Sequence, residues 1–277
     1  MTDTPAPPSP ASAAGCYLPE LCVVDFTGPD AREFLQGYLT CDTDTLADDG
    51  LTPWALCNLK GRVVANGWCR SAGSDTVELL LHHSLAPTLA EFFKAYLMFS
   101  KTRLNDSRDA ALIFGATLPE VSGALAITAS LYLVIVKDMA AAGAIYDPSA
   151  TANAWRAGLI GAGICLVSEP TSGTFLPQML GMHETGAVSF DKGCYLGQEV
   201  VARAQHRGSV KRRLQPLRWQ GPQPQPGDDL TTAAGDKAGT LINAATSEGE
   251  AGIALAVVAN EAAYPLQIGD TVLTQAG

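Results

Sequence analysis

The stretch SFDKGCYLGQEVVARAQHRG, residues 189–208, is dense in chemistry and poor in ordinary core residues. Cys194 stands between Lys192-Gly193 and Tyr195, and Gln198, Glu199, Arg203 and Arg207 follow at once. Gly193 and Gly197 break regular structure, whereas QEVVARAQHR has helical spacing. Val200, Val201 and Ala204 can face inward. Glu199, Arg203 and Arg207 are four apart, so they share the opposite face as a charged ladder. Cys194 is therefore expected in a loop just before a helix N-terminus. The helix dipole, unpaired backbone N–H groups and Lys192 would all favour a thiolate there. Such a thiol suits a nucleophile, a redox group or a metal ligand.

A Cys–His hydrolase needs a base within hydrogen-bond reach. His206 lies twelve residues on, roughly 18 Å along a straight helix at ~1.5 Å per residue. His183 could fold back, but no asparagine or aspartate is obviously paired with it. The hydrolase ranks low. The plainer alternative makes Cys194 a small buried residue and Glu199–Arg203 a surface ion pair. The density of Lys, Gly, Gln, Glu and Arg around one thiol weighs toward function.

The 277 residues suit one large domain or two to three subdomains, and 47% apolar content is enough for a sizeable core. A net charge of −10 and a pI of about 4.8 argue against tight non-specific binding to nucleic acid or anionic membrane. Lys192, Arg203, Arg207, Lys211, Arg212 and Arg213 nevertheless place six of the 18 basic residues in 22 positions. Seven cysteines with no CxxC pair read as reduced thiols of a cytoplasmic protein, and they offer no metal-ligand spacing. His82-His83 reads as a surface pair. No run of 18 uninterrupted apolar residues marks a membrane span.

The pattern predicts a flexible tail over 1–15 and an α+β subdomain over 16–108. A second α+β subdomain with the motif follows over 109–208, then a C-terminal β-barrel over 209–277. In the first subdomain LCVVDF, TPWALCN, RVVANGWC, TVELLL and KTRLND read as strands. GPDAREFLQGY reads as a helix stopping near Gly37, and SLAPTLAEFFKAYLMF as a helix with Ser84 as its cap. AALIFG and LYLVIV read as strands and DMAAAGAIY as a helix in the second. VKRRLQPLRW, KAGTLINA, EAGIALAVVAN and LQIGDTVLT are barrel strands.

KGCYLGQEVVARAQHRG resembles the signature of the YgfZ family, folate-binding relatives of the glycine-cleavage T-protein. The likeness extends to GPDAREFLQGYLTCD, CNLKGRVVAN, SGTFLPQML, VSFDKGCY and KRRL. It implies an α+β, T-protein-like fold, with α+β subdomains around a central folate cavity plus a small barrel. It also implies tetrahydrofolate, or another folate form, as cofactor. The implied role lies in making or repairing iron–sulfur proteins, with an indirect effect on tRNA thiomodification. Partners would be iron–sulfur proteins or their assembly factors, without direct nucleic-acid or membrane contact; independent turnover stays open.

By the same resemblance Cys194 is the functional thiol, with Lys192, Gln198, Glu199, Arg203 and Arg207 on the motif around it. Trp155 is the folate-stacking tryptophan, with a core aromatic as the plainer alternative. Tyr195 and Phe175 can line the pocket, and Lys60 and Arg62 can hold the folate glutamate tail. Two positions depart from the family: an aliphatic near Leu21 replaces a second tryptophan, and GAG (161–163) replaces EAG, removing a carboxylate. The alternative activity is a glycine-cleavage-type aminomethyltransferase. The T-protein aspartate near the reacting folate nitrogens has no counterpart in KGRVVANG, which ends in Asn66 and Gly67.

Overall fold

Strand β2 (Leu21–Thr27) explains the first sheet. Cys22, Val24 and Phe26 enter one core, and Leu21 and Val23 enter another. Side chains alternate across a strand, so a strand buried on both faces needs apolar residues at successive positions, which Leu21, Cys22, Val23 and Val24 supply. The computed structural model describes residues 15–276, other than 109, 139–141, 144, 148, 149, 208 and 209. The side chains of Arg207 and Glu248 also lie outside the description. Most of the tail expected over 1–15, and much of the helix expected over DMAAAGAIY, fall outside it as well.

The first sheet is antiparallel. Its order is β3 (Thr52–Cys57), β4 (Val63–Ser71), β5 (Thr76–His82), β2, β6 (Arg103–Asp106). Helices α1 (Ala31–Gln36) and α2 (Ala86–Leu97) cover one face. Leu35, Leu89 and Phe93 meet Phe26 there, with the Phe26 and Phe93 rings edge to face at 5.1 Å. Burying each such side chain contributes about 1.5–3 kcal/mol. The expected Ser84 cap of α2 is corrected: the helix has no side-chain cap, and Ser84 Oγ instead accepts from the Glu169 N–H at 3.1 Å.

The other face packs on a second sheet, ordered β1 (Gly15–Tyr17), β7 (Leu112–Ala116), β9 (Tyr132–Val136), β8 (Leu125–Ala126). Gly15, placed with the tail by sequence, opens β1. That strand pairs with β7 and so joins the second sheet, not the first. Helix α3 (Ala152–Gly161) closes this core through Trp155 and Leu159. An ionic link ties the two sheets. Lys137, just after β9, reaches buried Glu78 of β5 at 2.5 Å, and Arg70 Nε meets the same carboxylate at 2.7 Å. Burial pushes the Glu78 carboxyl up, but its bonds to Lys137 and Arg70 outweigh this and hold it below the usual range.

The third unit is a closed barrel. It runs β10 (Arg212–Gln220), β13 (Ala251–Ala259), β12 (Lys237–Glu248), β11 (Asp229–Thr231), β14 (Leu266–Ile268), β15 (Thr271–Gln275). Alternation sends Leu217 and Trp219 inward to meet Leu241, Ala256 and Leu273. LQIGDTVLT, expected as one strand, is a hairpin that turns at Gly269, φ +54°. Ile242, Ala245, Leu255 and Val257 face outward from the barrel into the first core. The three units therefore share one packed centre.

Candidate functional site

The motif loop is zipped onto the end of α1. Ser189 N–H donates to Thr40 O at 2.8 Å, and Leu196 N–H donates to Gly37 O at 3.0 Å. Thr40 Oγ1 donates to Ala187 O at 2.5 Å. Between these bonds Lys192 enters the protein, 9% exposed. Its ammonium donates to the carbonyls of Gln36 (2.8 Å), Leu39 (2.8 Å) and Cys41 (2.7 Å). An ammonium has three N–H bonds, and all are used. It also lies 5.5 Å from the centre of the Tyr195 ring. Burial lowers its pKa from the ordinary lysine value. The expected role of Lys192 is thus corrected: it staples the loop to α1 and has no donor left for a thiol.

Cys194 is exposed, whereas the six other cysteines are buried. Burial pushes Cys22, Cys57 and Cys165 each up to about 12. Tyr195, next in sequence, turns inward and is 6% exposed. Its hydroxyl has no hydrogen-bond partner, and burial raises its pKa. Helix α4 (Gln198–Arg207) then begins. Val201 is fully buried, and Glu199 and Arg203 form the expected i,i+4 ion pair at 2.8 Å on the exposed side. The backbone of Arg207 ends the helix; its side chain lies outside the description.

The β3–β4 hairpin tip presses on the start of α4. Gly61 sits at φ +67°, where an added Cβ would fall 2.9 Å from Val200 Cβ. Asn58 Oδ1 folds the tip by accepting from the Lys60 N–H at 2.9 Å and the Arg62 N–H at 3.1 Å. Lys60 is exposed. Arg62 donates to Thr174 O at 3.0 Å. Sequence placed both cations at a folate tail; the structure holds Arg62 on Thr174 O and leaves Lys60 exposed at the hairpin tip, away from both cavities.

Two cavities lie elsewhere, sharing Ile164 and Leu166 as a common wall; the barrel borders the second of them, through Asn243 and Ala244. The first, about 110 Å³, is lined by Trp54, Asn66, Trp68, Cys165, Met182 and Thr185 among others. The second, about 210 Å³, is lined by Trp155, Arg156, His82 and Asn243 among others. None of Cys194, Tyr195, Lys60, Arg62 or Phe175 lines either one. The motif and the cavities are separate places.

Polar groups in the cavities are mostly spent. Asn66 donates to Cys165 O and accepts from Val167 N–H, both at 2.8 Å. Asn243 brackets Leu166 in the same way, at 2.9 and 3.0 Å. Arg156 grips Glu20 with two bonds of 2.6 and 2.8 Å. Burial, followed by the neighbouring His83, lowers His82 to about 4. The His82 and His83 rings stack at 5.1 Å. Trp155 borders the second cavity but is 2% exposed, and its Nε1 donates to Tyr132 O at 3.1 Å. The backbone of Gly115 covers one face of its indole: an added Cβ there would come 2.6 Å from Trp155 Cγ. It is packed as a core aromatic. Sequence reasoning missed Trp54, which is fully buried on the first cavity's wall with an indole N–H that has no partner.

That orphan donor suits a heterocycle that offers an acceptor; Trp68 also lines the cavity, but it packs in the second core, on the face of β3–β4 opposite Trp54. No carboxylate lines the first cavity to meet a positively charged ring nitrogen. Among the described residues no helix is long and apolar enough to cross a membrane, and no group of three potential metal ligands is found.

Two α+β sheets and a closed barrel around a shared centre define a T-protein-like class. The chain resembles the crystal structure of glycine cleavage system aminomethyltransferase T from Bartonella henselae, with a TM-score of 0.69. That match is 13% identical and covers 94% of this chain and 84% of the other. Residues 211–276 match the family model described as CAF17, C-terminal beta-barrel domain.

The chain belongs to the YgfZ family. It is 33% identical over 284 residues to the tRNA-modifying protein YgfZ of Cronobacter sakazakii, covering 88% of this chain and 86% of that one. The protein of the same name from Edwardsiella ictaluri is 32% identical, covering 80% and 77%.

Proposed function

We propose that this protein is a cytoplasmic, tetrahydrofolate-binding accessory factor for iron–sulfur cluster assembly or repair, acting through Cys194. Any effect on tRNA modification is then indirect, through iron–sulfur enzymes. The observation that carries the reading is the outward-facing thiol. Cys194 is the one exposed cysteine of seven, on a loop held by Lys192 and by the Gly37 and Thr40 carbonyls. One thiol can make a single bond to a cluster iron or to a partner sulfur, but it cannot hold a cluster alone. The heterocycle of folate would be held at the first cavity, whose wall carries the unpartnered Trp54 N–H. Bound there, folate supplies one-carbon and redox chemistry to the complex.

An aminomethyltransferase fits less well, although the fold is shared with one. Asn66 stands in the stretch matching the T-protein aspartate, and its amide is committed to holding Cys165 and Val167. The deciding experiment replaces the chromosomal copy with Cys194→Ala. Aconitase-type iron–sulfur activity is expected to fall while the thermal melt and tetrahydrofolate affinity of the purified variant stay unchanged. Normal iron–sulfur activity in those cells would overturn the reading. Tetrahydrofolate-dependent ammonia release with glycine-cleavage partners would revive the transferase.

A further inference from the structure

Cys194 lines neither cavity, yet one buried threonine joins its loop to the first of them. Trp54, Met182, Thr185 and Ala187 stand on that cavity's wall. Thr40 is fully buried. Its hydroxyl accepts from the N–H of Ala55, next to Trp54 on β3, at 2.9 Å, and donates to Ala187 O at 2.5 Å. A hydroxyl has one proton to give. Ala55 O is the longer alternative at 3.1 Å and already takes the Thr40 N–H. The Thr40 carbonyl accepts from the Ser189 N–H at 2.8 Å, where the motif loop begins. Leu39 and Cys41, on either side of it, offer carbonyls that hold Lys192. Thr40 is thus bonded to β3, to the cavity wall and to the loop that carries Cys194. The wall itself is a turn between two glycines. Gly181 and Gly186 bracket Met182 and Thr185 at φ +69° and +79°, and a Cβ on either would meet nothing within 4 Å. Inside the turn the backbone bonds are local, such as Glu184 N–H to Gly181 O at 3.0 Å. Beyond the second glycine, Ala187 fixes the turn to Thr40.

We propose that Thr40 is a positioning residue that links occupancy of the first cavity to the Cys194 loop. This rests on the proposed folate site and adds how the two places answer each other. A heterocycle packed on Met182, Thr185 and Ala187 holds the turn in and keeps the Ala187–Thr40 bond made. Ser189 and Lys192 then stay seated on the end of α1. With the cavity empty the turn pivots at its glycines, that bond opens, and the loop gains room. A bulky group bonded to the Cys194 sulfur needs that room. Folate in the cavity and a cap on the thiol therefore oppose each other. They do so by one and the same factor, because linkage between two binding equilibria is reciprocal.

The test uses the full chain, tetrahydrofolate kept free of oxygen, and glutathione disulfide as the capping reagent. The Cys194 thiolate attacks that disulfide, a protein–glutathione disulfide forms, and one glutathione thiolate leaves. The exchange is reversible, so its equilibrium constant can be read by mass spectrometry. Saturating tetrahydrofolate is expected to lower that constant by about fivefold or more, and capped protein to bind tetrahydrofolate more weakly by the same factor in calorimetry. Thr40→Val removes the hydroxyl and keeps the shape. It should bring both factors near one while tetrahydrofolate still binds, and Thr40→Ser should restore them. A merely structural threonine would lower the thermal melt on replacement and leave the factors alone. A parent chain that binds tetrahydrofolate with both factors at one, or in which tetrahydrofolate favours the cap, overturns the linkage whatever the variants do, and leaves the folate reading intact. Full linkage in Thr40→Val overturns the role of Thr40. No tetrahydrofolate binding at all defeats the folate reading, and the linkage with it.

Discussion

Gly197 lies against Gly61 so closely that a Cβ built on it would stand 3.3 Å from the Gly61 Cα and 3.3 Å from Cys57 Cβ. Its φ of +80° already lies in the left-handed region. A hairpin tip 136 residues before Gly197 in sequence (197 − 61) thus sets where α4 begins, and with it where the Cys194 loop ends.

Replacing Gly197 with alanine should therefore cost more than the about 1 kcal/mol of a left-handed alanine, because the added methyl also meets the hairpin backbone. The expected loss is about 2–4 kcal/mol in urea unfolding, alongside a changed alkylation rate of Cys194. Gly186, also at positive φ but with open space around it, serves as the control, and its alanine variant should show only the conformational cost. Equal losses at the two positions would refute the contact argument.

Lys192 is expected to behave as an anchor. Lys192→Met leaves the carbonyls of Gln36, Leu39 and Cys41 without their donor, a loss of about 3 kcal/mol for buried acceptors. Lys192→Arg should not restore stability, since a planar fork cannot replace three donors diverging from one nitrogen. Urea melts of the three proteins check this. An arginine variant as stable as the parent would show that charge alone matters there.

Thiol titration gives a direct count. Native protein should react with one equivalent of Ellman's reagent, at Cys194, and denatured protein with seven. The six buried thiols are shielded from reagent, and burial also raises several of their pKa values. Loss of the single fast equivalent in Cys194→Ala confirms the assignment; a second fast thiol in the native chain contradicts it.

Glu78 makes stability depend on acid. Its folded pKa is depressed, so its contribution is complete above the ordinary glutamate pKa near 4.5 and is lost as pH falls through the folded value. Glu78→Gln should flatten the acid limb of the stability curve. It should also cost about 3 kcal/mol at neutral pH, because Lys137 and Arg70 lose their buried counter-charge. Melting temperatures from pH 7 down to 3 would reveal this; an unchanged acid limb would rule out Glu78 as its source.

The frame was readable because its signals are local. LCVVDF needs no partner to declare a strand, and CNLKGRVVAN folds on its own turn residues; that β2 is buried on both faces came only with the second sheet. The barrel announced itself through short apolar runs and turns, apart from the break at Gly269 in LQIGDTVLT. The site was less legible because its meaning is in distant contacts. Lys192 beside a cysteine reads as a charge that activates it, yet its partners lie some 150 residues earlier. Trp155 in a helix reads equally as a stacking platform or as core, and Gly115 decides for core. Nothing in TPWALCN tells that Trp54 will face a cavity with its N–H unmatched. Lys60 and Arg62 carried the right charge for an anion, but the hairpin that bears them closes on α4.

Asn66 supplies the sharpest test of why the fold is shared with a transferase and the activity, on this reading, is not. Placing a carboxylate there by Asn66→Asp would change a single heavy atom, replacing the amide NH2 by an oxygen. It would remove the donor to Cys165 O and set a negative charge against that carbonyl, in a residue 6% exposed. The expected cost is about 2–4 kcal/mol, the range for a buried polar group that loses its match. The Val167 N–H would still find an acceptor, so the chain should fold. Ammonia release with glycine-cleavage partners is expected to stay at background, because the carboxylate would be drawn to the Val167 N–H instead of presented to a ring nitrogen. Substantial transferase activity in this variant would mean that the cavity is already arranged for one-carbon transfer and lacks only the charge.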